Sequence, residues 1–291
     1  MRADDVILVT GATGNTGQAL PQQFANRNVR VRPTVRSPKD IARLPETVGA
    51  AFVADFDDPS SLDVALEGVT HACLVTPSSP NADAQQVRFA ERAARAGVRH
   101  LVKLSQFAAD EASPVRVLRY HAAVERRIRE LGIAFTFPRP NLHFQGLLAF
   151  QSMIAREGHF LAPIGDARVS AVDVRDIAAV AVTVLTEDGH EGQTYTITGP
   201  AAVSHAEMAA AVAEAIVRPV AFIDVPAKAF AGALQSAGMP AWQVDGLLED
   251  YAHHVRGEAE MVSPHVREVT RVEPCDVGQF ARHYARAFAA A

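Results

Sequence analysis

The segment at residues 6–17, VILVTGATGNTG, constrains the fold of this chain more than any other part of its sequence. Val6–Val9 is a short apolar run of the kind that forms a buried strand, and a helical pattern follows the last glycine directly. Gly11 lets the chain turn out of the strand, Gly14 lets a pyrophosphate approach the backbone, and Gly17 lets the helix pack closely. The helix N-terminus adds free N–H groups and a positive dipole end. Strand, glycine turn and helix predict a dinucleotide-binding unit, with a ligand-free tight turn as the alternative.

The composition is that of a globular protein of 291 residues, because 48% of the residues are hydrophobic and 21% are charged. A net charge of −5 without a strongly basic stretch argues against nucleic acid as a partner. The longest apolar run is too short to span a bilayer, and we expect no signal peptide, because the sequence goes directly into the first strand pattern. We expect a cytoplasmic protein that acts on a small molecule without membrane contact, with a homodimer as one option for its assembly.

Strand and helix patterns alternate with short loops through the first half of the chain. The expected strands after Val6–Val9 cover residues 29–35, 51–54, 71–76, 100–104 and 133–137, and the expected helices include 83–96, 120–131 and one capped by Ser60. Repeated βα units predict an α/β fold with a Rossmann-type, doubly wound parallel sheet and helices on both faces. We assign residues 1–145 to this domain, with its ligand at the carboxyl ends of the strands.

After about Asn141 the regular alternation stops. Helices are expected at 144–157 and 172–186, a strand at 194–198, and a helix at 204–217 whose Ser204 and Glu207 fit a capping box. The rest of the chain reads as mostly helical. We assign residues 146–291 to a smaller, mostly helical C-terminal lobe that binds substrate, while the elements near 168–199 return to the first domain.

Several segments resemble the NmrA-like branch of the atypical short-chain dehydrogenase/reductase family. They are the TGATGNTG turn, the stretch at 54–77, the strand and Arg-Pro turn at 133–144, and the late helix and strand at 172–187 and 192–200. The resemblance covers nearly the whole chain and is closest to quinone reductases and triphenylmethane dye reductases. It implies NAD(P) binding firmly and a substrate only loosely.

The end of the second predicted strand favours NADP over NAD. NAD-preferring folds place a carboxylate there for the ribose 2′-hydroxyl, whereas this chain reads TVRSPK, with no acid before Asp40. The guanidinium of Arg36 can hold a 2′-phosphate through two charge-assisted hydrogen bonds. We expect NADP as cofactor, with NAD as an option; the alternative for Arg36 is a solvated arginine.

The resemblance adds further cofactor contacts. Asp55 and Phe56 follow the third strand and are expected at the adenine, although Asp55 could also cap the turn before Pro59. Thr76 and Pro77 are expected near the nicotinamide ribose. The predicted cofactor-binding residues are Gly11, Thr13, Gly14, Asn15, Thr16, Gly17, Arg36, Asp55, Phe56, Thr76 and Pro77.

The catalytic residues do not follow the usual pattern of short-chain reductases, because the YxxxK pair is broken in this chain. Tyr120 is followed four positions later by Val124 instead of lysine. His121 and Glu125 share one helix face, and the resemblance places a ribose-binding or proton-donating group at His121. The alternatives are a packed Tyr120 and a surface histidine paired with Glu125.

Ser105, after the fifth strand, is a third catalytic candidate, because the superfamily places a hydroxyl there that faces substrate or cofactor. Lys103, two residues earlier, is expected at an exposed or edge position. The pairs Glu249 with His253 and Asp250 with His254 make at most half of a metal site, so no metal is expected.

Aromatic and polar residues after the strands predict a pocket for a flat, conjugated substrate. The candidates are Phe107, Asn141, His143 and Phe144. The sequence thus predicts hydride transfer from NADPH to a quinone or another conjugated aromatic acceptor, including a tailoring step on an aromatic natural product. The competing hypothesis is a non-catalytic NAD(P)-binding redox sensor of the NmrA type.

Overall fold

The computed structural model describes residues 5–24, 27, 29–44 and 51–290. In chain order, its strands are β1 (Val6–Val9), β2 (Arg30–Val35), β3 (Phe52–Val53), β4 (His71–Leu74), β5 (His100–Lys103), β6 (Ala134–Pro140), β7 (His159–Ala162), β8 (Arg168–Val169), β9 (Gln193–Ile197), β10 (Val203–Ser204) and β11 (Ala221–Asp224).

The helices connect these strands and make up most of the C-terminal part. They are α1 (Asn15–Phe24), α2 (Pro59–Leu66), α3 (Ala82–Arg95), α4 (Arg116–Glu130), α5 (Gln151–Glu157), α6 (Val174–Thr186), α7 (His205–Ile216), α8 (Ala227–Ser236), α9 (Ala241–Val255), α10 (His265–Thr270), α11 (Val277–His283) and α12 (Ala285–Ala289), with 3₁₀ segments at Pro38–Arg43 and Phe144–Phe150.

The main sheet has seven strands in the order β3-β2-β1-β4-β5-β6-β9. Neighbours from β3 through to β6 pair in parallel. The chain leaves β1 for β2 on one side, while β4 lies on the other side of β1. This reversal of strand order opens a crevice at the carboxyl ends of β1 and β4, where α/β folds bind ligands. The predicted Rossmann-type fold with a mostly helical C-terminal part is confirmed.

Alternate residues of the central strands build the core of the sheet. Leu8, Leu74, Leu101 and Phe137 belong to one buried cluster that also contains apolar residues of α2, α3 and α4. Helix α1 packs against α6, which also contacts β4 and β5. Since successive side chains of a strand point to opposite faces, Lys103 and Ser105 follow Leu101 on the face that α4 covers.

The chain forms two compact units. The first comprises Met1–Ser113, Leu118–Arg139 and Val174–Thr196, and the second comprises Pro114–Val117, Pro140–Asp173 and Ile197–Ala291. In the second unit, β7 pairs with β11 and β8 with β10, forming two small sheets that the sequence did not suggest. The assignment of residues 1–145 and 146–291 to cofactor and substrate stays a prediction.

Two local predictions had different outcomes. Ser204 and Glu207 form the expected capping box at the start of α7. Ser60 does not cap α2: the helix begins at Pro59, and the carboxylate of Asp58 accepts the Ser60 backbone N–H. Proline suits the first helical position because it lacks an N–H, and this leaves the residue before it to cap the helix.

His100, at the start of β5, makes the stability of the protein sensitive to acid. Its ring is almost fully buried and its Nε2 lies 2.8 Å from Thr136 Oγ1, and burial lowers the pKa of His100 to about 4. Between pH 6.5 and about 4 the unfolded chain binds a proton here that the folded chain does not, so folding stability falls as pH falls.

We expect His100→Gln, which cannot titrate, to lose less stability than the wild type when the pH is lowered from 6.5 to 4. Over this pH range the unfolding free energy of the wild type should fall by at most about 3 kcal/mol more than that of His100→Gln. Urea denaturation at a series of pH values measures it. Parallel pH dependence of the two proteins would show that His100 is not a neutral buried histidine.

Candidate functional site

The turn between β1 and α1 needs glycine at two positions for reasons internal to the protein. Gly11 has a φ of +63°, and a Cβ there would lie 2.7 Å from the Val75 carbonyl oxygen. A Cβ at Gly17 would overlap the carbonyl oxygen of Gly11. Gly14 differs, because its φ is ordinary and a Cβ would only touch the Gly11 oxygen at 3.4 Å. The space in front of Gly14 is therefore open to an occupant from outside the chain.

A cleft of about 400 Å³ lies beside this turn. Six predicted cofactor residues line it: Gly11, Thr13, Arg36, Asp55, Phe56 and Pro77. The other five lie around the start of α1 or just after β4: Gly14, Asn15, Thr16, Gly17 and Thr76. The volume suits a small-molecule ligand. Glycine turn, helix N-terminus and cleft together fit the dinucleotide that the sequence predicts; the individual contacts stay predictions.

Arg36, Asp40 and Arg43 line the part of the cleft that follows β2. Within the described residues, the exposed Arg36 has no ion-pair partner. The nearby carboxylate of Asp40 accepts hydrogen bonds from Ser37 Oγ at 3.0 Å and an Arg43 nitrogen at 3.2 Å. These bonds, Ser37 first, hold the pKa of Asp40 below its ordinary value. Asp40, which lines the same cleft, is thus hydrogen-bonded to other groups, and the guanidinium of Arg36 suits an anion.

The structure is compatible with both roles suggested for Asp55, which are a contact with adenine and a cap for the turn before Pro59. Its Oδ1 accepts the Asp57 backbone N–H at 2.9 Å, so the side chain does stabilise the turn before α2. Phe56 packs edge-to-face on Phe89 with ring centroids 5.9 Å apart. Both residues also line the cleft, so a contact with adenine is compatible with these structural roles.

A chain of contacts leads from the cleft to α4. Pro77 lines the cleft, and the next residue, Ser78, is hydrogen-bonded to Tyr120. Burial raises the pKa of Tyr120, and the bond from Ser78 opposes this only in part. The Tyr120 ring lies 4.3 Å from the ring of His121 between centroids. The end of β4 and the predicted catalytic residues of α4 are therefore neighbours.

Behind Tyr120 lies a buried polar cluster formed by Lys103, Ser105, His121, Glu125 and Arg139. The Lys103 Nζ lies 2.5 Å from His121 Nδ1 and donates to Ser105 Oγ at 3.1 Å. Ser105 Oγ donates to Glu125 Oε1 at 2.6 Å. Arg139 donates to both oxygens of Glu125, at 2.8 and 2.6 Å. The structure thus brings Ser105 and His121 into one cluster, with Tyr120 beside His121, and the catalytic roles of the three residues stay predictions.

The position expected for Lys103 is wrong. The side chain is completely buried instead of exposed or at an edge, because β5 lies between β4 and β6 in the sheet and α4 covers this face. His121 is also buried, which rules out the surface histidine considered as its alternative. Lys103 is the functional candidate that sequence reasoning set aside, and its two-residue spacing from Ser105 was the available signal.

Burial sets the protonation of this cluster. It lowers the pKa of Lys103 to about 7. Burial and the positive charges of Lys103 and Arg139 lower the pKa of His121 well below its ordinary value. For Glu125, burial acts to raise the pKa, but the hydrogen bonds from Arg139 and Ser105 prevail and the pKa is lowered. At neutral pH the cluster holds an ionised glutamate, a neutral histidine and a lysine close to its midpoint.

The predicted substrate residues lie within the separate units. Phe107 is buried in the first unit. In the second, the Asn141 amide donates to Ser170 Oγ and to the Ala259 carbonyl, and Phe144 stacks on Phe280 at 5.3 Å. Burial lowers the pKa of His143 to about 4. Substrate contact by these four residues stays a prediction.

Neither a metal cluster nor a membrane-spanning helix is found in the described part of the chain. No three His, Cys, Asp or Glu side chains there are placed to hold a metal ion. Among the helices of the same residues, none is both long and apolar enough to cross a bilayer.

We expect Gly14→Val to fold but to bind NADPH at least about tenfold more weakly, because its branched side chain occupies the space in front of the turn. Gly232→Val, at an open and exposed glycine of α8, is the matched control and should bind normally. Calorimetry measures the affinity and circular dichroism the fold. A folded Gly14→Val with wild-type affinity would refute the assignment of the turn.

Known proteins resemble this chain over nearly its whole length. An NAD(P)H azoreductase of Xenophilus azovorans is 34% identical over 286 residues, which cover 98% of this chain and 100% of that protein. A (4-alkanoyl-5-oxo-2,5-dihydrofuran-3-yl)methyl phosphate reductase of Streptomyces griseus is 35% identical over 285 residues, covering 98% and 99% of the two chains. The solved structure of an NADPH-dependent quinone oxidoreductase of Escherichia coli, complexed with NADPH, has a TM-score of 0.84 and 25% identity, covering 95% of this chain and 99% of that one.

The family assignment agrees with these similarities. The model of the NmrA-like family matches residues 3–274. The resemblance, first seen in separate segments of the sequence, thus extends over nearly the whole chain. The chain belongs to the NmrA-like family.

Proposed function

We propose that the protein reduces a quinone or another conjugated aromatic acceptor, with NADPH as hydride donor. The chain is an NAD(P)H-dependent reductase with NADP as its cofactor, in agreement with the similar NAD(P)H azoreductase and the NADPH complex of the quinone oxidoreductase. The observation that carries the finer proposal is the path from the cleft through Ser78 and Tyr120 to His121, behind which a lysine is buried. A tailoring step on an aromatic natural product is a variant of the same chemistry.

The residues that fit the cofactor divide by the part they would hold. The N–H groups at the start of α1, with Gly14 leaving space, suit the pyrophosphate. The exposed guanidinium of Arg36, which has no ion-pair partner among the described residues, suits a 2′-phosphate. Pro77 and Thr76 suit the nicotinamide ribose. When bound, NADPH supplies the hydride.

His121 is the better proton donor of the two candidates on α4. A quinone that accepts hydride becomes an anion, and one proton completes its reduction. Tyr120 is a weak acid here, because burial raises its pKa and α4 places Val124 where a lysine would lower it. His121 contacts the ammonium group of Lys103, which can supply a new proton to the imidazole after His121 has donated its own. We therefore assign proton donation to His121 and a packing role to Tyr120. Ser105 supports the cluster through its hydrogen bonds to Lys103 and Glu125.

The non-catalytic sensor remains the competing function for the same cleft. Val124 is fully buried in the hydrophobic core, so α4 offers no lysine in the usual place. Lys103 answers this objection, because it brings an ammonium group to the same helix from β5. Steady oxidation of NADPH with a panel of quinones distinguishes the two functions: turnover supports the enzyme, and binding without turnover supports the sensor.

The first prediction from this proposal concerns cofactor choice. Arg36→Ala should weaken NADPH binding by about 1.5–3 kcal/mol, the contribution of hydrogen bonds to a charged group, and leave NADH binding nearly unchanged. Arg95→Ala removes an exposed arginine that does not line the cleft and is the control for net charge. Calorimetry with both cofactors measures the effect. Equal loss for NADPH and NADH would rule out a 2′-phosphate contact.

The second prediction concerns the proton donor. His121→Ala should lower kcat by about 10- to 1,000-fold, in the range of a positioned acid–base group, whereas Tyr120→Phe should matter less. Both variants are measured against one quinone after their folding is checked by circular dichroism. An inactive Tyr120→Phe beside a fully active His121→Ala would reverse the assignment.

A further inference from the structure

The face of β5 that α4 covers carries a lysine where a buried strand ordinarily carries an apolar side chain. Leu101, on the same face, is fully buried in the hydrophobic core, and Lys103 is equally inaccessible. Burial of an ammonium group is costly in free energy unless its surroundings compensate it. Since an apolar side chain would fill this place without that cost, packing alone does not account for a lysine here.

Among the described residues, the ammonium group of Lys103 has hydrogen-bond acceptors but no carboxylate as direct partners. Its Nζ lies 2.5 Å from His121 Nδ1, 3.1 Å from Ser105 Oγ and 3.5 Å from the His121 main-chain oxygen. Glu125 lies beyond Ser105, and both its oxygens accept from Arg139. The nearest negative charge is therefore held by another cation, and the partner of closest approach is the imidazole.

This geometry selects one tautomer of His121. An ammonium group can only donate, so Nδ1 must present its lone pair to Lys103. The proton of the neutral ring then sits on Nε2, which has no hydrogen bond within the described residues. The Nε2 proton is thus the one that the cluster itself does not engage.

The charges around the pair support this arrangement below neutral pH. The groups that act on Lys103 are Glu125 of α4, which raises its pKa, and Arg139 of β6, which adds to the lowering by burial. The resulting pKa is about 7, while that of His121 is far below its ordinary value. At pH 6 Lys103 is therefore charged and His121 is neutral.

We propose that Lys103 is the positioning residue of the reaction, holding His121 as its Nε2–H tautomer and replacing the proton that His121 gives away. This inference rests on the proposed function only for its kinetic part. The hydride-bearing acceptor anion takes the Nε2 proton, so an N–H bond breaks and an O–H bond forms on a quinone. At the same time Lys103 transfers a proton to Nδ1, which leaves a neutral amine, a neutral imidazole and a neutral hydroquinone. A proton from solvent then binds Nε2 while the Nδ1 proton returns to Lys103, which restores both the ammonium group and the Nε2–H tautomer.

The first experiment does not depend on activity. Long-range ¹H–¹⁵N correlation spectra of the full-length protein at pH 6 report which ring nitrogen of His121 carries the proton, with His121→Gln used to assign the signals. The expected result is a proton on Nε2 and a hydrogen-bonded lone pair on Nδ1. A proton on Nδ1 would overturn the proposal, whether or not any acceptor is ever reduced.

The second experiment uses Lys103→Met, which keeps the length of the side chain, beside Lys228→Met, which removes an exposed lysine of α8. Lys103→Met should let the two tautomers of His121 mix and should lower kcat for a quinone about 10- to 100-fold at pH 6, with an unchanged KM for NADPH. In the wild type, kcat should fall as pH rises through about 7, where Lys103 loses its proton, and this decline should disappear in Lys103→Met. Lys228→Met should match the wild type.

Two outcomes of the second experiment would overturn the inference. One is a folded Lys103→Met that keeps the wild-type pH profile and rate. The other is an equal loss of kcat at every pH with His121 still in a single Nε2–H tautomer, which marks a merely structural lysine. If Lys103→Met fails to fold, the tautomer of His121 in the wild type decides. If the spectra agree but no acceptor oxidises NADPH, the proposed function fails while the Lys103–His121 pairing stands.

Discussion

The candidate site depends on the hydrogen bonds that the buried carboxylate of Glu125 accepts. This carboxylate is completely buried, yet it accepts hydrogen bonds from Ser105, Arg139 and Arg129. A buried charge is tolerated only when its geometry and hydrogen bonds repay the loss of water, and removal of one partner from such a pair is strongly destabilising. The two bonds from Arg139 of β6 and the one from Ser105 after β5 therefore fix α4 over both strands. One helical turn before Glu125, His121 is brought within reach of Lys103 as a consequence.

The cofactor cleft and the buried polar cluster lie at the same edge of the sheet, and they are connected at the end of β4. The glycine turn after β1 presents backbone N–H groups and an open cleft, which suit an anionic cofactor. The cluster on β5, β6 and α4 contains buried groups that can carry protons, Lys103 and His121. Ser78 and Tyr120 connect the two. In the proposed reaction the acceptor stabilises its own anion, so the protein needs to supply only binding, orientation and one proton. A lysine on a strand can then serve where the helix has Val124 in place of the usual lysine.

The parts that could be predicted from the sequence are those that local physics decides. The strand, turn and helix at residues 6–17 needed only the glycine spacing, and Ser204 with Glu207 needed only the three-residue spacing of a capping box. Lys103 was misjudged because its environment comes from two neighbouring strands and from a helix that begins at Arg116. A lysine is rarely buried, and the residues next to Lys103 in the sequence do not indicate that His121 is its partner. The pairings of β7 with β11 and of β8 with β10 join short segments far apart in the chain, which no local pattern reveals.

Anaerobic single-turnover mixing of the NADPH-loaded protein with a quinone tests the central claim most directly, because the absorbance of NADPH reports the departure of the hydride alone. The account predicts that this absorbance decays at a rate that rises with quinone concentration to a plateau. It also predicts a normal primary isotope effect when the transferred position of the nicotinamide carries deuterium, since that bond breaks in the observed step. Binding of NADPH without any decay beyond that seen in the absence of acceptor, across a broad panel of quinones, would contradict the account.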